Sequence, residues 1–166
     1  HKERFKNWDI RISSLQEIPG KEKLISVFRL IAPYAFSEFD FSDYDVVITS
    51  ATGAYFPNSI DKKSALQICY CHTPPRYLYG LATAREWKKN VLVRVPAELA
   101  NHILRMLDSR VSENVDFYIA NSQNVAARIK KFYRKDSTVI YPPVDIESSK
   151  FKVKSSKLKE EYYLAG

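Results

Sequence analysis

ALQICYCHTPPRYLYG, residues 65–80, decides how the chain folds. Its first seven residues are apolar or strand-forming and too few for a helix between turn signals. They run into His72, Thr73 and two prolines, which stop a strand and set a turn. A strand that ends on a histidine, with Arg76 among aromatics just beyond, fits either a metal cluster or a ligand-binding strand end.

Counting ligands argues against the metal. Cys69 and Cys71 are the only cysteines, and the histidines are His1, His72 and His102. A structural zinc site wants Cys pairs spaced by two to four residues plus two further ligands. Here Cys-x-Cys sits on a strand, no second pair exists, and neither a metal nor a cofactor is expected. A disulfide across one residue would be strained, so two free thiols on a buried strand fit a reducing cytosol.

Working outward, the chain repeats an α/β pattern. YDVVITS (Tyr44 to Ser50) is a continuous β-branched run, the pattern of a strand buried on both faces. Thr52 to Ile60 holds Gly53, Pro57 and Asn58 and reads as a loop. Leu92 to Val111 predicts a long helix with Leu99, Ile103, Met106 and Leu107 on one face. DFYIA (Asp116 to Ala120) predicts a strand, after which Asn121-Ser122 can cap a helix that turns Val125, Ile129 and Phe132 inward. Thr138 to Tyr141 predicts a last strand, stopped by Pro142-Pro143. Near the N-terminus, Trp8 to Leu15 reads as a short strand. Glu22 to Ala32 reads as a helix ending near Pro33, with Leu24, Val27, Phe28 and Ile31 in register.

Strands alternating with helices predict an α/β fold: a Rossmann-like parallel sheet with helices on both faces. Ligands of such sheets bind outside the carboxyl ends of the strands. Gly53, the His72 cluster and Asn121-Ser122 all fall at such ends.

Composition sets outer limits. The chain has 166 residues, 45% hydrophobic and 27% charged, ordinary values for a globular domain. No apolar run approaches the roughly 18 residues of a membrane span. The start, HKERFKNWD, lacks Met and a signal-peptide core and reads as a chain whose first residues are missing. The net charge of +7 raises anionic partners. Part of the excess lies in RIKKFYRK (Arg128 to Lys135) and KFKVKSSKLK (Lys150 to Lys159). No helix-turn-helix pattern or RNA-binding aromatic motif accompanies these patches, so nucleic acid is not expected as a partner.

Three motifs in order carry a family resemblance. FDFSDYDVVITSATGAY (Phe39 to Tyr55), ICYCHTPPRYLYG, and VDFYIANSQNVAARIKKFYRKDSTVIYPPVD (Val115 to Asp145) together resemble the N-terminal half of glycosyltransferase family 4 enzymes. They are similar to the bacterial and archaeal mannosyltransferase-type members that build surface polysaccharides. The likeness implies the N-terminal half of a two-domain GT-B fold, with residues 1–145 as the acceptor-side domain. Residues 146–166 would be a lysine-rich linker running into EYYLAG, the start of a second domain. The family's first strand and glycine-rich loop have no counterpart after His1.

The resemblance implies transfer of a sugar with retention of configuration and without a required metal. The donor would be a nucleotide-sugar, with GDP-mannose as the subfamily guess. The acceptor would be a glycan or lipid-linked acceptor. Residence would be cytoplasmic, extending to peripheral contact with anionic lipid at the inner membrane face. His72 matches the family histidine that faces the donor sugar. Gly53, Thr73, Arg76, Asn121 and Ser122 are the substrate-binding candidates. Two rivals stand beside it, a non-enzymatic α/β binding module and another GT-B enzyme such as a sugar epimerase. A receiver-type module would need clustered acidic residues at its strand ends. These ends carry Thr-Ser-Ala, Cys-His-Thr and Ala-Asn-Ser instead.

Overall fold

The structure, a computed structural model, describes residues 5–20, 25–53, 55–81 and 91–143. The lysine-rich stretch and EYYLAG lie outside the described residues. A 3-10 turn, Ser14–Glu17, precedes helix α1 (Ile25–Ser37) and strands β1 (Val46–Ala51) and β2 (Leu66–Cys71). Helix α2 (Val91–Glu113), strand β3 (Phe117–Ala120), helix α3 (Gln123–Tyr133) and strand β4 (Ser137–Val139) follow. The four strands form one sheet in the order β1-β2-β3-β4, every pair parallel. This is a Rossmann-like α/β architecture.

Parallel pairing puts all four strand ends on one edge. Ser50 lies opposite Tyr70, Cys71 opposite both Ala51 and Ala120, and Ala120 opposite Val139. The residues that follow those ends are Thr52, His72, Asn121 and Ile140.

Side chains alternate across the pleat. Val47, Thr49, Ala51, Gln67, Cys69, Cys71, Tyr118 and Ala120 are buried on one face. A core of Ala51, Cys69, Cys71, Val115, Tyr118 and Ala120 closes there against Val125 and Ile129 of α3. On the other face Val46, Ile48, Leu66 and Phe117 are exposed, Ile48 by 71%. Burial on both faces is therefore corrected for the described residues. The reason is topological. Right-handed crossovers in a sheet that never reverses its order deliver their connections to the same face.

The β1–β2 crossover has no helix and covers its share of the core with a loop. Ala65 and Ile60 from this loop pack with Val47, against Phe36 of α1 and Phe41. Buried Asn58 supplies the polar partner that an all-apolar cover would lack. Its Oδ1 accepts from Thr49 Oγ1 at 2.7 Å and from Gln67 Nε2 at 3.3 Å. Asp116 ties the strand starts together, accepting the Gln67 N–H at 2.8 Å and pairing with Lys62.

Two helical expectations and one strand expectation need correction. α1 continues through Pro33 to Ser37, and Ala32 and Ala35 are its buried residues while Ile31 is exposed. In α2, Leu99, Ile103 and Met106 are exposed, whereas Leu104, Asp108, Val111 and Ser112 are buried. Its inner face holds polar groups because each finds a bond: Ser112 Oγ donates to Ser109 O, and Asp108 accepts from two tyrosines. Trp8 to Leu15 forms no strand; Ile10 and Ile12 are exposed. Among the described residues no helix is long and apolar enough to cross a membrane.

The cap of α3 follows the sequence reading. Ser122 has extended backbone, φ −164° and ψ 161°, and its Oγ accepts the Val125 N–H at 3.3 Å. Arg134 closes the other end in the left-handed conformation, φ 57°, its N–H donating to Lys130 O. Replacing Ser122 by Ala should cost about 1 kcal/mol, or about 2–4 °C in Tm by thermal melting. An unchanged Tm would mean that the cap bond contributes nothing.

Candidate functional site

The site is built where β1 and β2 end side by side. The His72 N–H continues the ladder by donating to Ala51 O at 2.8 Å, which leaves the side chain just past the sheet. Its ring is half-buried and held from two sides. Ser50 Oγ lies 3.0 Å from His72 Nε2, and Tyr70 meets the imidazole edge-on with centroids 5.1 Å apart. Tyr70 is fixed in turn, its hydroxyl donating to Ile140 O at 3.1 Å beyond β4. Residues from three strand ends thus cooperate in the orientation of one ring.

With Nε2 on Ser50, Nδ1 is left for a ligand; among the described residues it has no partner. A Ser-His nucleophile would need a carboxylate on that second nitrogen to orient and stabilise the imidazolium. The pair instead suits a histidine held to hydrogen-bond a bound molecule.

The other sequence candidates separate by what they touch. Gly53 has φ +73°, and a Cβ on it would meet Thr73 O at 2.4 Å, Pro74 C at 2.8 Å and Pro75 N at 2.9 Å. It lets the loops after β1 and β2 touch backbone to backbone. Thr73 is tied to α3, its Oγ1 accepting from Arg128 Nη1 at 3.1 Å. Asn121 sits beside the same end, its N–H reaching Cys71 O at 3.4 Å and its Oδ1 accepting from Ser122 Oγ at 3.2 Å. Ser122 itself serves as the cap. Arg76 is exposed on the turn, and its carbonyl accepts the Leu81 N–H.

Sequence reasoning missed Ser50, Tyr70, Arg128 and Asp108. Ser50 carried a usable signal, since the last outward residue of one parallel strand neighbours the first loop residue of the next. Arg128 was hidden in the basic run Arg128 to Lys135.

The electrostatics lie behind the turn. Asp108 is 5% exposed, and burial pushes its carboxyl from the ordinary 3.8 up to about 6. Its bonds from Tyr79 and Tyr133 pull the other way without cancelling the effect. The protonated form stabilises the fold at low pH, and that contribution is lost as pH rises through 6. Ionised Asp108 therefore costs about 3 kcal/mol at neutral pH. The hydrogen bond that Cys71 donates to Cys69, together with burial, pushes the Cys71 thiol up, so this thiol stays protonated and unreactive. Among the described residues no group of His, Cys, Asp and Glu could hold a metal ion.

A hollow of about 670 Å³ follows the outer edge of β1 and reaches Ser50. Phe36, Phe39, Phe41 and Ile60 line it together with Asp9, Arg11 and Asp40, a mainly apolar surface that also carries charged groups.

In comparison with known proteins, no curated protein and no solved structure matches the chain. The family model described as Glycosyltransferase Family 4 matches residues 6–148, which include all four strands and the His72 turn. By that match the chain belongs to glycosyltransferase family 4.

Proposed function

We propose that the strand-end edge around His72 is the acceptor-side wall of a retaining sugar-transfer site. His72 hydrogen-bonds the reacting sugar there, Ser50 orients it, and Asn121 and Arg76 contribute polar contacts to substrate. The observation that carries this reading is the fixed, half-buried His72 ring at the C-terminal edge of a parallel sheet. Transfer from a nucleotide-sugar needs a stabilised diphosphate leaving group and an oxocarbenium-like sugar, which is positioning and electrostatics. In the two-domain arrangement, residues 1–145 supply the acceptor side and a second domain supplies most of the diphosphate site. The donor we favour is GDP-mannose, and the acceptor a glycan or a lipid-linked glycan of a surface polysaccharide, met at the cytosolic membrane face.

Calorimetry of this chain with GDP-mannose, UDP-glucose and UDP-N-acetylglucosamine tests the division of labour. If a second domain supplies the diphosphate contacts, this chain should bind all three weakly, at about 100 μM or above. Sub-micromolar binding would place the donor site here and overturn it. Ser50→Ala provides a second check, since it frees the ring while leaving His72 in place. It should reduce transfer about 5- to 10-fold, the worth of one neutral hydrogen bond, with a smaller effect than loss of His72. Equal losses in the two variants would contradict the orienting role.

A further inference from the structure

We propose that Asp108 is a positioning residue for the His72 turn, clamping Tyr79 of that turn and Tyr133 of α3 onto α2 through its two carboxylate oxygens. The proposal rests on the sugar-transfer reading of His72 for its functional meaning, but its geometry stands independently. Tyr79 Oη donates to Asp108 Oδ2 at 2.8 Å, and Tyr133 Oη donates to Oδ1 at 3.3 Å. The Tyr79 ring is also stacked on Phe132, centroids 4.3 Å apart and 18° from parallel. Next to it, Leu78 is 2% exposed and packs with Phe56 and Leu104. The turn that starts at His72 is therefore anchored at its far end, seven residues on, by a buried acceptor.

A buried carboxylate is a costly way to hold two hydroxyls, since a neutral group would avoid the desolvation. What ionisation provides is two strong acceptors at once, each able to take a charge-assisted bond. Protonation converts one oxygen into a donor, so one of the two tyrosine contacts must invert or break. The groups facing Asp108 are Tyr79 from the turn, Tyr133 from α3, Tyr118 from β3 and the Cys69–Cys71 pair from β2. Arg105, one turn earlier on α2, acts on Tyr79. Burial raises the three tyrosines, so all stay protonated donors. Among the described residues no cation pairs with Asp108. Its own proton is then the variable group near neutral pH, and it titrates close to 6.

Local and global effects have opposite signs. Below pH 6 the turn is held less firmly, while the whole fold is relieved of a buried charge. A residue serving stability alone would move both together.

The test is amide hydrogen exchange of the chain, expressed as protection factors, for wild type, D108N, D108A and Y79F. The Leu78 and Leu81 amides, which bond to Pro75 O and Arg76 O, report the turn, and β2 and β3 amides report the whole fold. Wild type should lose about 3- to 10-fold turn protection between pH 7.5 and 5 while β2 and β3 hold or gain, the size of one weakened hydrogen bond. D108N should show no such pH dependence. D108A and Y79F should lose about 10-fold or more at both pH values; if D108A does not fold, Y79F alone decides. Unchanged turn protection in Y79F, or a loss spread equally over β2 and β3, overturns the proposal. A wild-type turn insensitive to pH overturns it as well. None of these outcomes depends on sugar transfer, so failure here leaves the reading of His72 to its own tests.

Discussion

His72→Ala should reduce sugar transfer about 10²–10³-fold while costing the fold little. The first figure is the loss expected when one preorganised donor to a transition state is removed, about 2.7–4 kcal/mol. The second follows from what the side chain touches. Among the described residues the half-buried His72 side chain bonds Ser50 Oγ and meets Tyr70 edge-on, so its removal forfeits one hydrogen bond and one ring contact. That amounts to about 1 kcal/mol and a Tm lower by about 2–4 °C. A histidine present for structure alone would give the reverse pattern, a large drop in Tm with near-normal turnover in the molecules that remain folded. Rate and melting temperature measured on the same preparation separate the two.

Gly53→Ala should be among the most destabilising single changes in the chain. Two costs add. A left-handed backbone costs a non-glycine residue about 1–2 kcal/mol. The new Cβ would also lie 2.4 Å from Thr73 O and under 3 Å from two further backbone atoms. Those atoms belong to the His72 turn and cannot swing aside as a side chain end would. Overpacking of this kind costs roughly 1–3 kcal/mol, so the sum is about 2–5 kcal/mol and a Tm fall on the order of 10 °C. Gly80 supplies the control, having φ +69° and open space within 4 Å of where a Cβ would sit. Gly80→Ala should show only the backbone cost, about 1–2 kcal/mol. If thermal melting finds the two variants equal, contact between the loops is not what Gly53 provides.

Strands were the most legible part of the fold, because short β-branched or aromatic runs between turn signals leave few alternatives. Tyr44 to Ser50, Ala65 to Cys71 and Asp116 to Ala120 each lie within two residues of a strand in the structure. The helix between the second and third of these pointed to parallel pairing, whereas the first pair is joined by a loop and is parallel all the same. Coverage was less legible: Val46 and Ile48 look the same in sequence whether a helix lies over them or not. The α2 stripe of Leu99, Ile103 and Met106 misled for a related reason. Periodicity finds the apolar face of a helix, but a polar face can be inside when its groups are bonded, as Asp108 and Ser112 are. Pro33 was read as a stop, although α1 runs on to Ser37.

The place of His72 just past a strand end was legible because the apolar run stops there, while its part in a site rested on the family resemblance. Ser50 depended on register between two strands, and the Asp108 clamp on three segments meeting in space. Neither pairing leaves a local pattern in the chain.

The most direct measurement is a ¹⁵N-labelled chain titrated with millimolar GDP-mannose and, separately, with free mannose, following every amide and the His72 imidazole. Shift changes should gather at residues 50–53, 72–76 and 121–122, with the largest side-chain change on the His72 ring. Changes gathered along α1 and the outer edge of β1, with the His72 ring unmoved at saturation, would contradict the claim that sugar is handled at this strand-end edge.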